Sequence, residues 1–324
     1  MKRQRRALIF SLGGAFLSRW SLSDAADSYP SRPIRLIVSW PPGSSADTGA
    51  RILANRLEKI LGQTIIVENR GGASGIIGSS FVAKAPPDGY TLLFTTSNHA
   101  SNEVVYPNLP YDPIADFAPV SMVQRSILCI AVNPALPVRN LTQLIQYAKE
   151  NPQKLSFGTP GLGTPHQLVG ELLKQRAKIN MIHVPYKGGG PAMTDVVSGH
   201  IPISINAAAA VLPFMRTGQV RVIAISDSVR FEDIPDVSTI SETYPGLDVS
   251  GWSAIFAPAK TPTRIINQLN AAIAEALSSS SVKQSMATSG LVATPLTPDA
   301  LTKRVMEDRL RWLSLAKSGV SFTE

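Results

Sequence analysis

Apolar positions along this chain fall into two alternating rhythms. Ile34, Leu36, Ile37 and Val38 form a short continuous run that reads as a buried strand. Ala50, Leu53, Ala54, Leu57, Ile60 and Leu61 then recur at helical spacing. They predict a helix from Asp47 to Leu61 closed by Gly62. Strand 64–68, a glycine-rich turn, a helix near 75–85 and strand 91–95 follow. Such β-α-β-α-β alternation builds a parallel sheet with helices on both faces.

After a proline-rich connection at 106–119 the pattern starts again. It predicts a strand over 120–132, helix 140–150, strand 155–158, helix 166–177 and strand 181–184. Helix 191–198, strand 203–206, helix 209–217 and strand 220–225 complete the series. The tail supplies a strand at 252–258 and a helix capped by Thr261 with Pro262 at its first position. A last helix opens at Thr297-Pro298. Two α/β lobes are expected, with the tail completing one of them or standing alone. No internal repeat or low-complexity tract is visible beyond the serines at 278–281.

The first 25 residues break the pattern. Lys2, Arg3, Arg5 and Arg6 precede the apolar run 7–17, and small residues lie around 23–26. This is the three-part pattern of an export signal, too short in its apolar part to span a membrane. Arg5–Arg6 is similar to a twin-arginine signal, and a plain basic front would look the same. Removing 1–25 takes four from the formal net charge of +8 and leaves +4. The basic balance of the whole chain is thus half a signal-peptide effect, and nucleic acid is not an expected partner. No later run of 18 apolar residues exists, so a protein free in the periplasm is expected. Cys129 stands alone in an apolar segment and reads as a core thiol.

Catalytic and cofactor motifs are weak. G-x-S-x-G is absent, and S-x-x-K at 280–283 and 314–317 lacks partner motifs. The glycines of 71–78 have the wrong spacing for a dinucleotide fingerprint, and YKGGGP at 186–191 reverses a P-loop. His99, His166, His183 and His200 show no metal-ligand spacing, so neither metal nor cofactor is expected. His183 reads as a core residue, whereas His166 could open a helix beside a ligand. More informative are four loops of small and hydroxyl residues after strands, at 41–47, 70–75, 95–101 and 159–166. In an open parallel sheet such loops gather along one edge, where amides and hydroxyls can hold a ligand. Their lack of acid-base groups favours binding over catalysis. The alternative is an exported α/β hydrolase acting on a small ester or amide.

Several long blocks carry a resemblance. RPIRLIVSWPPGSSADTGAR, VENRGGASGIIGSSFVAKAPPDGYTLLFTTS, LPYDPIADFAPVSMV, NPQKLSFGTPGLGTPHQLVGELL and HVPYKGGGPAMTDVVSGHI occur in this order. Together they resemble the extracytoplasmic solute receptors of the tripartite tricarboxylate transporter type, the Bug family. The resemblance runs from about residue 31 to 320. It implies a two-lobed, type II-like periplasmic binding protein, each lobe a mostly parallel sheet flanked by helices, with the ligand cleft between them. Lobe 1 would comprise 26–122 and 228–324, and lobe 2 123–227, with crossing strands near 120–126 and 225–230. The implied ligand is a small organic carboxylate and the implied partners are permease subunits or a sensor, with the receptor a monomer. Carried over, Pro42, Gly43, Ser44, Ser45 and Asp47 would grip a carboxylate, with Asp47 capping the helix. Ser97, Gly163, Thr164 and Pro165 would complete the cleft, and Asn206 would meet the ligand's far end. Four positions depart from the family pattern. Ser44 replaces a glycine, Pro165 replaces a serine and removes an amide donor, and Asn206-Ala207 replaces aspartate-asparagine.

Overall fold

The computed structural model describes residues 29–106, 108–152, 154–319 and 322, so the export signal at 1–25 lies outside the described residues. The first elements are β1 (Ile34–Val38), α1 (Ser45–Leu61), β2 (Ile65–Asn69), α2 (Ile76–Ala83), β3 (Thr91–Thr96) and α3 (Asn98–Val105). The chain continues through β4 (Phe117–Ser126), β5 (Leu128–Val132), α4 (Leu141–Glu150), β6 (Ser156–Thr159) and α5 (Pro165–Ala177). Then come β7 (Ile182–Pro185), α6 (Gly189–Ser198), β8 (Ile203–Ala207), α7 (Ala208–Arg216) and β9 (Arg221–Ser226). The tail holds β10 (Gly251–Pro258), α8 (Thr263–Ser278), α9 (Ser280–Thr288), β11 (Leu291–Ala293) and α10 (Pro298–Lys317).

These strands form two sheets. One has the order β11-β4-β10-β3-β1-β2 and the other β7-β6-β8-β5-β9. The ladders β2-β1-β3 and β7-β6-β8 are parallel, and the remaining pairs are antiparallel. The carboxyl ends of β1, β3 and β4 therefore share one edge of the first sheet. Only Ile127 separates β4 from β5, and β5 enters the second sheet with Leu128 opposite Ala207 and Ser226. Those are the carboxyl ends of β8 and β9. The register thus turns the carboxyl edges of the two sheets toward each other, and the loops that follow β1, β3, β6, β7 and β8 face one gap.

Each sheet is buried on both faces. Against the first, α1 and α8 cover one side through Leu53, Leu57, Leu269 and Ile273, while Val82, Leu301 and Val305 cover the other. Against the second, α4 and α5 pack Leu144, Leu168 and Leu173 on one side, and α6 and α7 pack Met193, Val196 and Val211 on the other. Helix α10 belongs to both: Leu301 and Val305 lie in the first lobe's core, whereas Trp312 and Leu315 lie in the second's.

Four local expectations are corrected. The strand expected over 120–132 is two strands in different sheets, broken at the buried Ile127, whose carbonyl accepts the Ala208 amide at 2.8 Å. Strands buried on both faces carry one unbroken apolar run, so the break leaves no trace in hydropathy. The loop expected at 95–101 is helical from Asn98. Helix α1 begins two residues earlier than its apolar pattern, with Ser44 rather than Asp47 as N-cap. Thr261 does not cap α8: its hydroxyl donates to Pro258 O at 2.8 Å, and Pro262 stands at the cap position. The glycine run of 71–78 is structural. A Cβ on Gly78 would lie 2.9 Å from both Ser39 Cα and Arg70 O, so only glycine lets α2 lie this close to the end of β1.

Candidate functional site

The loop after β1 is built around Asp47. Gly43, held at φ +79°, donates its amide to Asp47 Oδ2 at 2.9 Å, and Ser44 Oγ accepts the Asp47 amide at 3.2 Å. Asp47 Oδ1 accepts from Arg51 Nε at 3.0 Å and Asn69 Nδ2 at 2.9 Å. Burial alone would raise this carboxyl, but the hydrogen bonds from Arg51, Gly43 and Asn69 together hold it below the ordinary aspartate value. Asp47 thus faces amides and a guanidinium, as expected of a residue shaping the loop. It does so from the third helical position, reaching back as the acid of a capping box does.

This leaves a specific set of donors. The Ser44 amide is taken by Pro41 O and the Gly43 amide by Asp47. The amides of Ser45 and Ala46 have no acceptor among the described residues, and they point off the amino end of a 17-residue helix. Pro42, Gly43 and Ser45 are exposed, so the tip is open to a ligand. Beneath it Gln124 Nε2 donates to Ser45 O at 3.1 Å and fixes the first turn to the sheet.

Across the gap, the loop after β6 repeats this construction. Gly163, at φ +66°, donates its amide to Gln167 Oε1 at 2.8 Å, and Thr164 Oγ1 accepts the Gln167 amide at 3.4 Å. Residues 43–47 and 163–167 share glycine, a hydroxyl cap and an Asp or Gln four places after the glycine. The difference lies at the first helical position, where Pro165 has no amide to give. The Gly163 carbonyl accepts from Asn98 Nδ2 at 3.2 Å and Ser101 Oγ at 2.8 Å, so both backbone groups of Gly163 are spent within the protein.

Ser97 joins the first cradle from β3. Its amide donates to Trp252 O at 3.0 Å, while its hydroxyl has no partner among the described residues. Asn206 lies at the end of β8 and is 2% exposed. Its Nδ2 donates to Gly189 O at 2.9 Å and its Oδ1 accepts the Ala207 amide at 3.0 Å. Much of its hydrogen-bonding capacity therefore holds the glycine-rich loop before α6. One donor and one lone pair remain.

Residues 49–318 match the family model described as "Tripartite tricarboxylate transporter family receptor". The chain belongs to that receptor family. Protein BugT of Bordetella pertussis is 40% identical to this receptor over 298 residues, covering 90% of this chain and 91% of BugT. Among solved structures, R. palustris Rpa4515 with adipate has a TM-score of 0.79 at 33% identity, covering 91% of this chain and 100% of that one. MatC (Rpa3494) from Rhodopseudomonas palustris with bound malate has a TM-score of 0.74 at 30% identity, covering 89% and 99%. The receptor's two-lobed α/β architecture is that of periplasmic binding proteins, among them the solved periplasmic binding protein BugD, with a TM-score of 0.76 at 29% identity over 91% of this chain and 100% of that one.

In this receptor Asn98, Ser101 and Gln167 are site-building residues that motif reasoning missed. For Gln167 the spacing shared by 43–47 and 163–167 was the available signal, and Asn98 and Ser101 lie in the loop of small and hydroxyl residues at 95–101. His183 accepts or donates at 2.7 Å with Thr159 Oγ1 and packs on Phe157, and burial pushes its imidazole down to about 4. Both ring nitrogens of His166 are shielded and have no partner among the described residues, and burial likewise pushes it to about 4. A recess of ≈ 270 Å³ lined by Arg125, Ile127, Phe231, Lys283 and Leu291 lies beside the crossing strands and contains none of the cleft residues. Among the described residues no helix is long and apolar enough to cross a membrane.

Proposed function

We propose that this receptor works in the periplasm as a monomer, without catalysis of its own. It captures a small dicarboxylate and delivers it to the membrane permease of a tripartite tricarboxylate-type transporter, or reports it to a sensor. The observation that carries this reading is the pair of matching helix-opening cradles on facing sheet edges. The first cradle takes one carboxylate on the amides of Ser45 and Ala46 and the Ser97 hydroxyl. The second receives the other end between the Thr164 and His166 amides and the free donor of Asn206, the Thr164 hydroxyl being spent on Gly161 O. Arg51 is committed to Asp47 and Asn69, so the anion is balanced by helix dipoles rather than by an ion pair. Adipate and malate, found in the two structural neighbours, are both dicarboxylates.

The lobes, one on each sheet, move against each other about the crossover at Ile127 between β4 and β5, and a ligand touching both stabilises the closed state by its differential affinity. Native mass spectrometry of freshly purified protein should find a retained organic acid, and calorimetry should then register binding of that acid, adipate or malate. Small-angle scattering should give a smaller radius of gyration once loaded. No binding of any acid in a panel of mono- and dicarboxylates would overturn the assignment.

A further inference from the structure

We infer that Asn98 and Ser101, on the first turn of α3, are positioning residues that latch the second lobe in register with the first-lobe cradle. Three observations place them there. The Gly163 carbonyl of the second lobe accepts from both, and Asn98 and Ser101 are 4% and 0% exposed. Asn98 is in turn tied to the cradle loop. Trp40 Nε1 donates to Thr96 Oγ1 at 3.0 Å, and the Thr96 hydroxyl donates to Asn98 Oδ1 at 3.2 Å. A continuous run of donors and acceptors thus leads from the loop after β1 to the loop after β6. One turn further along α3, Val105 packs in the second lobe's core, and a Cβ on Gly163 would lie 2.6 Å from Val105 Cγ2.

The chemistry of this contact separates it from ligand binding. Neither Asn98 nor Ser101 offers a group to the cleft donors named above. Their bonds join two protein groups in different lobes, so they exist only in lobe arrangements that bring α3 and α5 together. Because the Gly163 amide is held by Gln167, pulling on its carbonyl orients the whole first turn of α5. Substitutions on α3 therefore change affinity by shifting the lobe equilibrium, not by removing a ligand contact. The effect on affinity rests on the proposed dicarboxylate function, whereas the effect on lobe geometry does not.

The test is a pair of spin labels introduced by Lys59→Cys and Lys149→Cys, both at exposed positions, one on each lobe. Cys129 is buried, and burial pushes its thiol up to about 12, so it does not compete for label. In protein stripped of co-purified ligand, Asn98→Ala/Ser101→Ala should lengthen and broaden the interlobe distance distribution. Affinity for adipate or malate should fall about tenfold, the scale of one to two buried hydrogen bonds. Ser101→Thr, which keeps the hydroxyl, should restore part of both effects on an Asn98-intact background. A lower melting temperature with an unchanged distance distribution would make α3 a fixed part of the second lobe and overturn the latch. If the unsubstituted protein binds neither acid, the dicarboxylate assignment fails while the distances in the stripped protein still decide the latch.

Discussion

Trp312→Ala is expected to lower the unfolding free energy by about 3–5 kcal/mol, the cost of removing a buried tryptophan. Trp312 is 2% exposed and lies edge-on to Phe322, with ring centroids 5.1 Å apart, in the second lobe's core. Its helix is rooted in the first lobe. There Leu301 and Val305 are buried, and Asp308 accepts from Trp252 Nε1 at 2.7 Å and Arg304 Nε at 3.1 Å. The substitution should therefore do more than lower the midpoint. It should split urea unfolding into two transitions followed by different probes, because one of the connections that make the lobes cooperative is gone. A single transition displaced by less than about 0.5 kcal/mol, the scale of an ordinary surface substitution, would show that α10 does not couple the lobes.

Asp47→Ala is expected to reduce carboxylate affinity by roughly ten- to hundredfold and stability by about 1–3 kcal/mol, since it orphans several donors at once. The Gly43 amide, Arg51 and Asn69 all lose their common acceptor. Asp47→Asn keeps an acceptor for Gly43 and should recover part of the affinity. The wild-type carboxyl is held below its ordinary value of 3.8 in the folded state. Its contribution is therefore complete above the unfolded-state value and is lost as pH falls through the lower folded one. Melting of the wild type should steepen in its pH dependence below pH 3.8, and the asparagine variant should lack that component. Parallel pH profiles for the two proteins would remove Asp47 from the role of anchor for this loop.

Much of the architecture is legible in the sequence because periodicity reports burial. Ala50, Leu53, Ala54 and Leu57 mark one face of α1, and that face is buried. What hydropathy cannot report is a change of sheet within an apolar run, as at Ile127. Nor can it show a helix whose buried side is polar. In α3 the buried residues include Asn98 and Ser101, which bond to the second lobe, Asn102, which donates to Ser74 O and the Tyr111 hydroxyl, and His99, which packs among aromatic rings. A polar stretch of this kind reads as a loop until its partners are known. Asp47 shows the same limit at the cleft. Its position near the helix start is readable, but the distribution of its two oxygens over Gly43, Arg51 and Asn69 depends on residues brought together from β2 and the preceding turn.

Helix α10 also constrains how the cleft can gape. Twenty residues make a rod about 30 Å long, and it does not stretch. Its amino half is embedded in one lobe and its carboxyl half in the other, with Arg309 paired to Glu103 and Arg311 to Asp248 along its length. A jaw-like separation would have to bend this rod or pull Trp312 from its socket. Swivelling of one lobe around the rod does neither. The mouth should accordingly open by shear, its two lips sliding past each other, so that a long ligand is exposed at one end before the other.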